Sequence, residues 1–185
     1  MMLKQQKTES ELVAQPPVLV FHDNCGNNIR LTNGNRTAVK IDLQAYNDGV
    51  IGSRDPMLGN VLYEVRVDAV TDVYNYLALG VTRISPAHLL VPEWIRYMKD
   101  SVMIAPGLVF YHKKRVPLPL AEGLRKLEVG SRVGVLVTSS NDLHLYINGQ
   151  DQGVAAENVT QPWFAVFDIY DTVSKVTALP TSRIA

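Results

Sequence analysis

The feature that most constrains this chain is a set of short runs in which apolar and polar side chains alternate, interrupted every few residues by Gly, Asn, Asp or Pro. Successive side chains of a strand point to opposite faces, so such a run buries one face and wets the other. Val61 to Ala69 places Val61, Tyr63, Val65, Val67 and Ala69 on one face and Glu64, Arg66 and Asp68 on the other, with Leu62 as the exception. Val133, Val135 and Val137 share a face, as do Leu143, Leu145 and Ile147, and the intervening Ser139-Ser140-Asn141-Asp142 favours a turn. Asn148-Gly149 follows, a dipeptide suited to the positive φ angles of a type I′ hairpin turn. Trp163 to Ile169 is apolar on both faces apart from Asp168, the pattern of a central strand covered above and below.

Weaker strand patterns cover Val18 to Phe21, Ile29 to Leu31, Thr37 to Ile41, Val50 to Gly52, Leu77 to Thr82, Leu108 to His112 and Ser174 to Ala178. One short helix is expected from Pro92, which suits a first helical turn and sets Trp94, Ile95 and Met98 at helical spacing. Many strands and at most one short helix predict an all-β, two-layer antiparallel β-sandwich, because each sheet must bury one face against the other. The sandwich is expected over residues 16–180. Residues 1–15, polar and without periodicity, are expected to form a disordered N-terminal tail, and 181–185 a C-terminal tail.

Charge narrows the partners. Eighteen basic residues balance eighteen acidic ones, which argues against nucleic acid, whose binders carry a basic surplus. The single cysteine, Cys25, allows no internal disulfide and no cysteine zinc site, and suits a reducing cytosol. No run is apolar and long enough for a secretory leader or a membrane span, so the expected location is cytoplasmic, with peripheral membrane contact as an alternative. The sequons at Asn35 and Asn158 read as chance matches.

The residue patterns of common catalytic sites are missing: no G-x-S-x-G elbow, phosphate loop, dinucleotide fingerprint or H-E-x-x-H helix occurs. His22, His88, His112 and His144 never form a close ligand pair, so neither a metal nor a cofactor is expected. The sharpest enzyme alternative is a glycosidase-like carboxylate pair at Glu64 and Asp68, which share a strand face. Four residues of strand separate them by about 13 Å, beyond the roughly 5–9.5 Å that glycoside hydrolysis uses, and Arg66 between them suggests a ladder of opposite charges. Cys25 lies in a turn-rich stretch with no evident activating base and reads as structural.

Phe21-His22-Asp23-Asn24-Cys25-Gly26 followed by Leu31-Thr32-Asn33-Gly34-Asn35-Arg36-Thr37-Ala38 resembles the opening of a neuralized homology repeat domain. Tyr46-Asn47-Asp48 is similar to that family's aromatic-Asn-Asp step, and Gly130-Ser131-Arg132-Val133-Gly134 to its G-x-R-V/I-G strand entry. Asp142 to Gly153 resembles its hairpin, closest to the multi-repeat neuralized-like proteins of the protein four type, and Trp163 to Tyr170 its closing strand. The sequence departs from the family at Tyr74-Asn75-Tyr76, where a Trp and a Gly are usual, and at Asp171, where a Gly is common.

The missing catalytic patterns argue against an enzyme, and the resemblance implies a SPRY- and concanavalin-like sandwich that serves as a partner-recognition adaptor in ubiquitin pathways. Implied partners are a protein or peptide, such as a ubiquitin-ligase component or a Notch-ligand tail, or in some members a phosphoinositide. The candidate partner-binding residues are Tyr46, Asn47, Asp48, Tyr74, Asn75, Tyr76, Trp94 and Tyr97, aromatic or turn residues beside expected connections. Lys113, Lys114 and Arg115, expected in a solvated loop, are candidates for an anionic membrane or acidic partner. Glycan binding is a third, weaker reading.

Overall fold

The computed structural model describes residues 16–72, 76–111 and 114–185, and the N-terminal segment expected as a tail lies outside them. The strands are β1 (Ile29–Thr32), β2 (Thr37–Lys40), β3 (Val50–Gly52), β4 (Val61–Val70), β5 (Ala78–Thr82), β6 (Ser101–Ala105) and β7 (Leu108–Tyr111). They continue with β8 (Lys114–Pro117), β9 (Arg132–Val137), β10 (Leu143–Ile147), β11 (Gln150–Ala156), β12 (Phe164–Asp168), β13 (Val173–Ala178) and β14 (Ser182–Arg183).

They form two antiparallel sheets. The larger runs β1-β2-β13-β4-β9-β10-β11, with β14 also paired to β4, and the smaller runs β3-β12-β5-β6-β7-β8. The expected hairpin is β9–β10, in register with Leu145 opposite Val135. Asn148 and Gly149 join β10 to β11 with φ of 51° and 78°, as a type I′ turn requires.

Between the sheets, Val65, Val133, Val135, Leu145 and Val176 of the larger meet Ile51, Leu79, Val81, Ile104 and Phe167 of the smaller in one apolar core. Each is buried, and removing a Val, Leu, Ile or Phe side chain from water contributes about 1.5–3 kcal/mol. Alternation along β4 sends Tyr63, Val65 and Val67 inward. Leu62 packs on the opposite face with Leu136 and Tyr146, which accounts for its break in the pattern.

The smaller sheet is apolar on both faces. A second cluster, including Val50, Ala78, Ile95, Met98, Met103 and Val166, lies on its outer face beneath the segment 84–98. All five residues of β12 are buried for this reason.

Several expectations need correction. The helix expected from Pro92 is one 3-10 turn, Ile95–Tyr97. Trp94 precedes it in an extended conformation with no side-chain cap, so the first amides lack the acceptor that nucleates a longer helix. Two further 3-10 segments, Pro86–His88 and Pro119–Arg125, had no helical periodicity to mark them. Phe21 forms an isolated bridge to Ser53 in place of a strand over Val18 to Phe21. Lys114 and Arg115 lie in edge strand β8, not a loop, and Ser182–Arg183 within the expected C-terminal tail pairs with Leu62 and Val61.

The charge ladder on β4 is also divided. Arg66 pairs with Asp68 at 2.8 Å. Glu64 is buried, and burial pushes its carboxyl above the usual range while Arg132 opposes the shift.

Candidate functional site

Alternation on the smaller sheet directs Ala78 of β5, Ala105 of β6, Phe110 of β7, Arg115 of β8 and Asp168 of β12 to one recess on its outer face. The small side chains Ala78 and Ala105 leave depth there. The recess is an open groove of about 430 Å³, walled on one side by Trp94, Ile95 and Arg96 and on another by Pro106 and Arg125.

Its rim is aromatic. Tyr76 stacks on Tyr170 with ring centroids 6.3 Å apart, and Trp94 meets Tyr170 edge-on at 6.2 Å. The Arg96 guanidinium lies 5.1 Å from the Trp94 ring centroid and 5.0 Å from that of Tyr97. Such contacts hold flat side chains in fixed orientations at small entropic cost.

The wall is tied to the sheet from two directions. The Ile95 N–H donates to Asp168 Oδ2 at 3.0 Å. On the far side, the Asp48 N–H donates to the Glu93 carbonyl at 2.9 Å, and Asn47 Nδ2 donates to Glu93 Oε1. Asp48 adopts φ of 59°, a left-handed conformation that Asp tolerates better than most residues. Gly49 follows because the chain passes so close to β12 that a Cβ would lie 2.1 Å from the Ile169 carbonyl oxygen.

Asp168 is the most perturbed acid at the site. Its Oδ1 finds no hydrogen-bond partner among the described residues. Full burial pushes its carboxyl up to about 7, opposed by the Ile95 hydrogen bond and Lys40, while Asp48 adds to the rise. Burial also raises the Tyr170 phenol, with Asp168 adding to the effect.

The structure therefore separates the residues that sequence reasoning grouped. Tyr76 and Trp94 line the groove together with Arg115. Tyr97 stands outside it, 60% exposed under Arg96, and Tyr46 is 62% exposed on the loop whose Asn47 and Asp48 brace Glu93. Tyr74, Asn75 and Lys113 lie outside the described residues. Lys114 and Arg115 are opposite Tyr111 and Phe110 respectively, so strand alternation turns them to opposite faces and they do not form one basic patch.

Sequence reasoning missed Arg96, Phe110 and Arg125. Asp168 had a signal, as the lone charge in an apolar strand. Arg125 had none, because it reaches the groove from the 3-10 segment after β8, where its Nη2 donates to the Pro106 carbonyl at 3.2 Å.

Other candidates for chemistry are elsewhere in the fold. Burial, then Asp23, pushes the Cys25 thiol up, away from the thiolate form. Among the described residues no group of three or more His, Cys, Asp or Glu side chains is placed to hold a metal. Among the described residues no helix is long and apolar enough to cross a membrane.

Two stacked sheets with an open recess on one outer face define a SPRY-like β-sandwich. The SPRY domain of human HERC1 superposes with a TM-score of 0.61 at 13% identity, covering 86% of this chain and 97% of that one. Residues 21–180 match the Neuralized family, and the chain belongs to it, and so to a class of protein-interaction domains. Neuralized-like protein 2 of Mus musculus is 26% identical over 88% of this chain and 77% of its own length. The crystal structure of the Drosophila melanogaster neuralized NHR1 domain superposes with a TM-score of 0.67 at 18% identity, covering 88% of this chain and 98% of that one.

Proposed function

We propose that this domain is a cytoplasmic adaptor that holds a segment of a partner protein in the groove between Trp94 and β8, and that it serves a ubiquitin-linked pathway. The observation that carries the reading is the aromatic rim Tyr76–Tyr170–Trp94 around an open, apolar-floored recess. Aromatic side chains that keep one face accessible supply contact area with little entropy left to lose, as in the anchoring pockets of protein interfaces. The groove opens outward, so it suits a chain laid across the sheet better than a small molecule enclosed by protein. The ubiquitin link is drawn from the family resemblance, and a Notch-ligand tail or a ligase component would enter as cargo or scaffold.

The test is quantitative affinity capture with wild type and Ala105→Trp, which fills the groove floor without changing charge. Partners lost with Ala105→Trp but retained with Tyr46→Ala support the groove. Identical recovery with Ala105→Trp, given an unchanged melting temperature, overturns it. Binding to phosphoinositide vesicles that depends equally on Lys114 and Arg115 would favour a membrane-surface function instead.

A further inference from the structure

We infer that the groove selects partner segments in which a carboxylate side chain stands beside an apolar or aromatic one, with Arg96 and Arg115 as the carboxylate's recognition groups. The inference rests on the groove being the partner site.

Three guanidinium groups surround the recess, and all are charged at any physiological pH. They are not equivalent. Arg125 is already engaged, with Nε on Glu122 at 2.6 Å and Nη2 on the Pro106 carbonyl, so it shapes the wall. Arg96 lies over Trp94 and Tyr97. Stacking uses the face of the guanidinium and leaves its in-plane N–H groups for a bidentate acceptor, a geometry a carboxylate matches. Arg115 is exposed on edge strand β8 and forms no ion pair among the described residues.

The acids lining the groove do little to offset these charges. Asp168 is fully buried, and its raised pKa keeps much of it protonated near neutral pH. The Asp171 carbonyl accepts from Lys40 Nζ at 2.6 Å, which brings a compensating cation to that residue. The open side of the recess is therefore a basic rim over an apolar floor of Ala78, Ala105 and Phe110. A segment with an acidic residue for the rim and an apolar neighbour for the floor satisfies both.

A lipid headgroup fits less well. Membrane-surface contact uses cations projecting from one outward surface, whereas Lys114 and Arg115 point to opposite sides of β8 and Arg96 lies against aromatic rings.

The experiment uses the full chain and fluorescence anisotropy with three pools of short labelled peptides. The pools alternate Trp, Phe or Leu with Asp or Glu, with Asn or Gln, or with Lys or Arg. The acidic pool is expected to bind about tenfold more tightly than the amide pool, and Arg96→Gln and Arg115→Gln each to weaken it about tenfold. Both variants should also reduce the salt dependence of binding. Equal binding of the acidic and amide pools, or acidic binding unchanged in the double arginine variant, overturns the inference. If Ala105→Trp abolishes binding while the double variant retains it, the groove stands and acidic selection fails. If Ala105→Trp also binds as wild type, both fail. Capture by vesicles containing phosphatidylinositol phosphate, lost in Arg115→Gln, with no peptide pool bound, would assign the cations to a lipid and overturn the inference. Circular dichroism melting of each variant identifies loss of fold.

Discussion

The backbone N–H of Ile95 donates to the carboxylate of Asp168 at 3.0 Å, joining two residues 73 positions apart. The bond holds the turn carrying Trp94 and Arg96 against the end of β12 and places an acid where water cannot solvate it. The pKa of Asp168, raised to about 7 from an ordinary 3.8, makes the folded state hold a proton that the unfolded chain releases near pH 4. Stability attributable to this group is therefore full below about pH 4, falls as pH rises toward 7 and levels off above it, by an amount on the order of 4 kcal/mol. Asp168→Asn should flatten that part of the pH–stability curve. Denaturant titrations of both proteins between pH 4 and 8 measure it, and parallel curves would show that Asp168 ionises as an ordinary acid.

Tyr170 and Trp94 meet edge-on with centroids 6.2 Å apart. A double-mutant cycle with Trp94→Ala and Tyr170→Leu should give a coupling of about 0.5–1.5 kcal/mol in stability. Loss of either ring should weaken partner binding more than stability, because Trp94 is only half-buried. A coupling near zero would mean that the rings sit side by side without holding each other.

Phe21 and Phe167 are both fully buried and meet edge-on at 6.3 Å, pinning the entering chain to β12. Phe167→Ala should cost about 3–5 kcal/mol through lost burial and a cavity. Tyr46→Ala, at an exposed position, should stay within about 0.5 kcal/mol. Chemical denaturation of the two variants tests the contrast.

Two glycines should behave differently. A methyl at Gly49 would meet the Ile169 carbonyl oxygen at 2.1 Å. Because that oxygen belongs to the backbone, Gly49→Ala must move the loop that braces Glu93, costing at least about 1–3 kcal/mol and weakening partner binding. Gly149→Ala has a φ of 78° and would meet only the mobile end of Arg132. It should cost about 1–2 kcal/mol and leave binding intact, so paired melting and binding measurements separate the two.

Legibility followed the range of the forces involved. The β9–β10 hairpin and the Asn148-Gly149 turn were readable because alternation and positive φ are decided within a few residues. β6 and β8 carry no such local signal. Ser101 to Ala105 is a short apolar run with no period of its own, and Lys114 to Pro117 is exposed and held only by pairing with β7. Trp94 and Tyr76 were legible as aromatics beside connections, but their common neighbour Tyr170 was evident only as part of a closing-strand motif.

What the polypeptide determined through its sequence alone is the alternation that makes two sheets, the turns that reverse them and the family resemblance those motifs carry. Tertiary structure decided which outward-facing residues became a groove. It turned Arg115 toward Phe110 and Lys114 away, brought Arg125 in from a 3-10 segment and buried Asp168 under Ile95. A side chain's face depends on local backbone geometry, whereas its neighbours across a sheet depend on strand order, which arises only when distant segments pair.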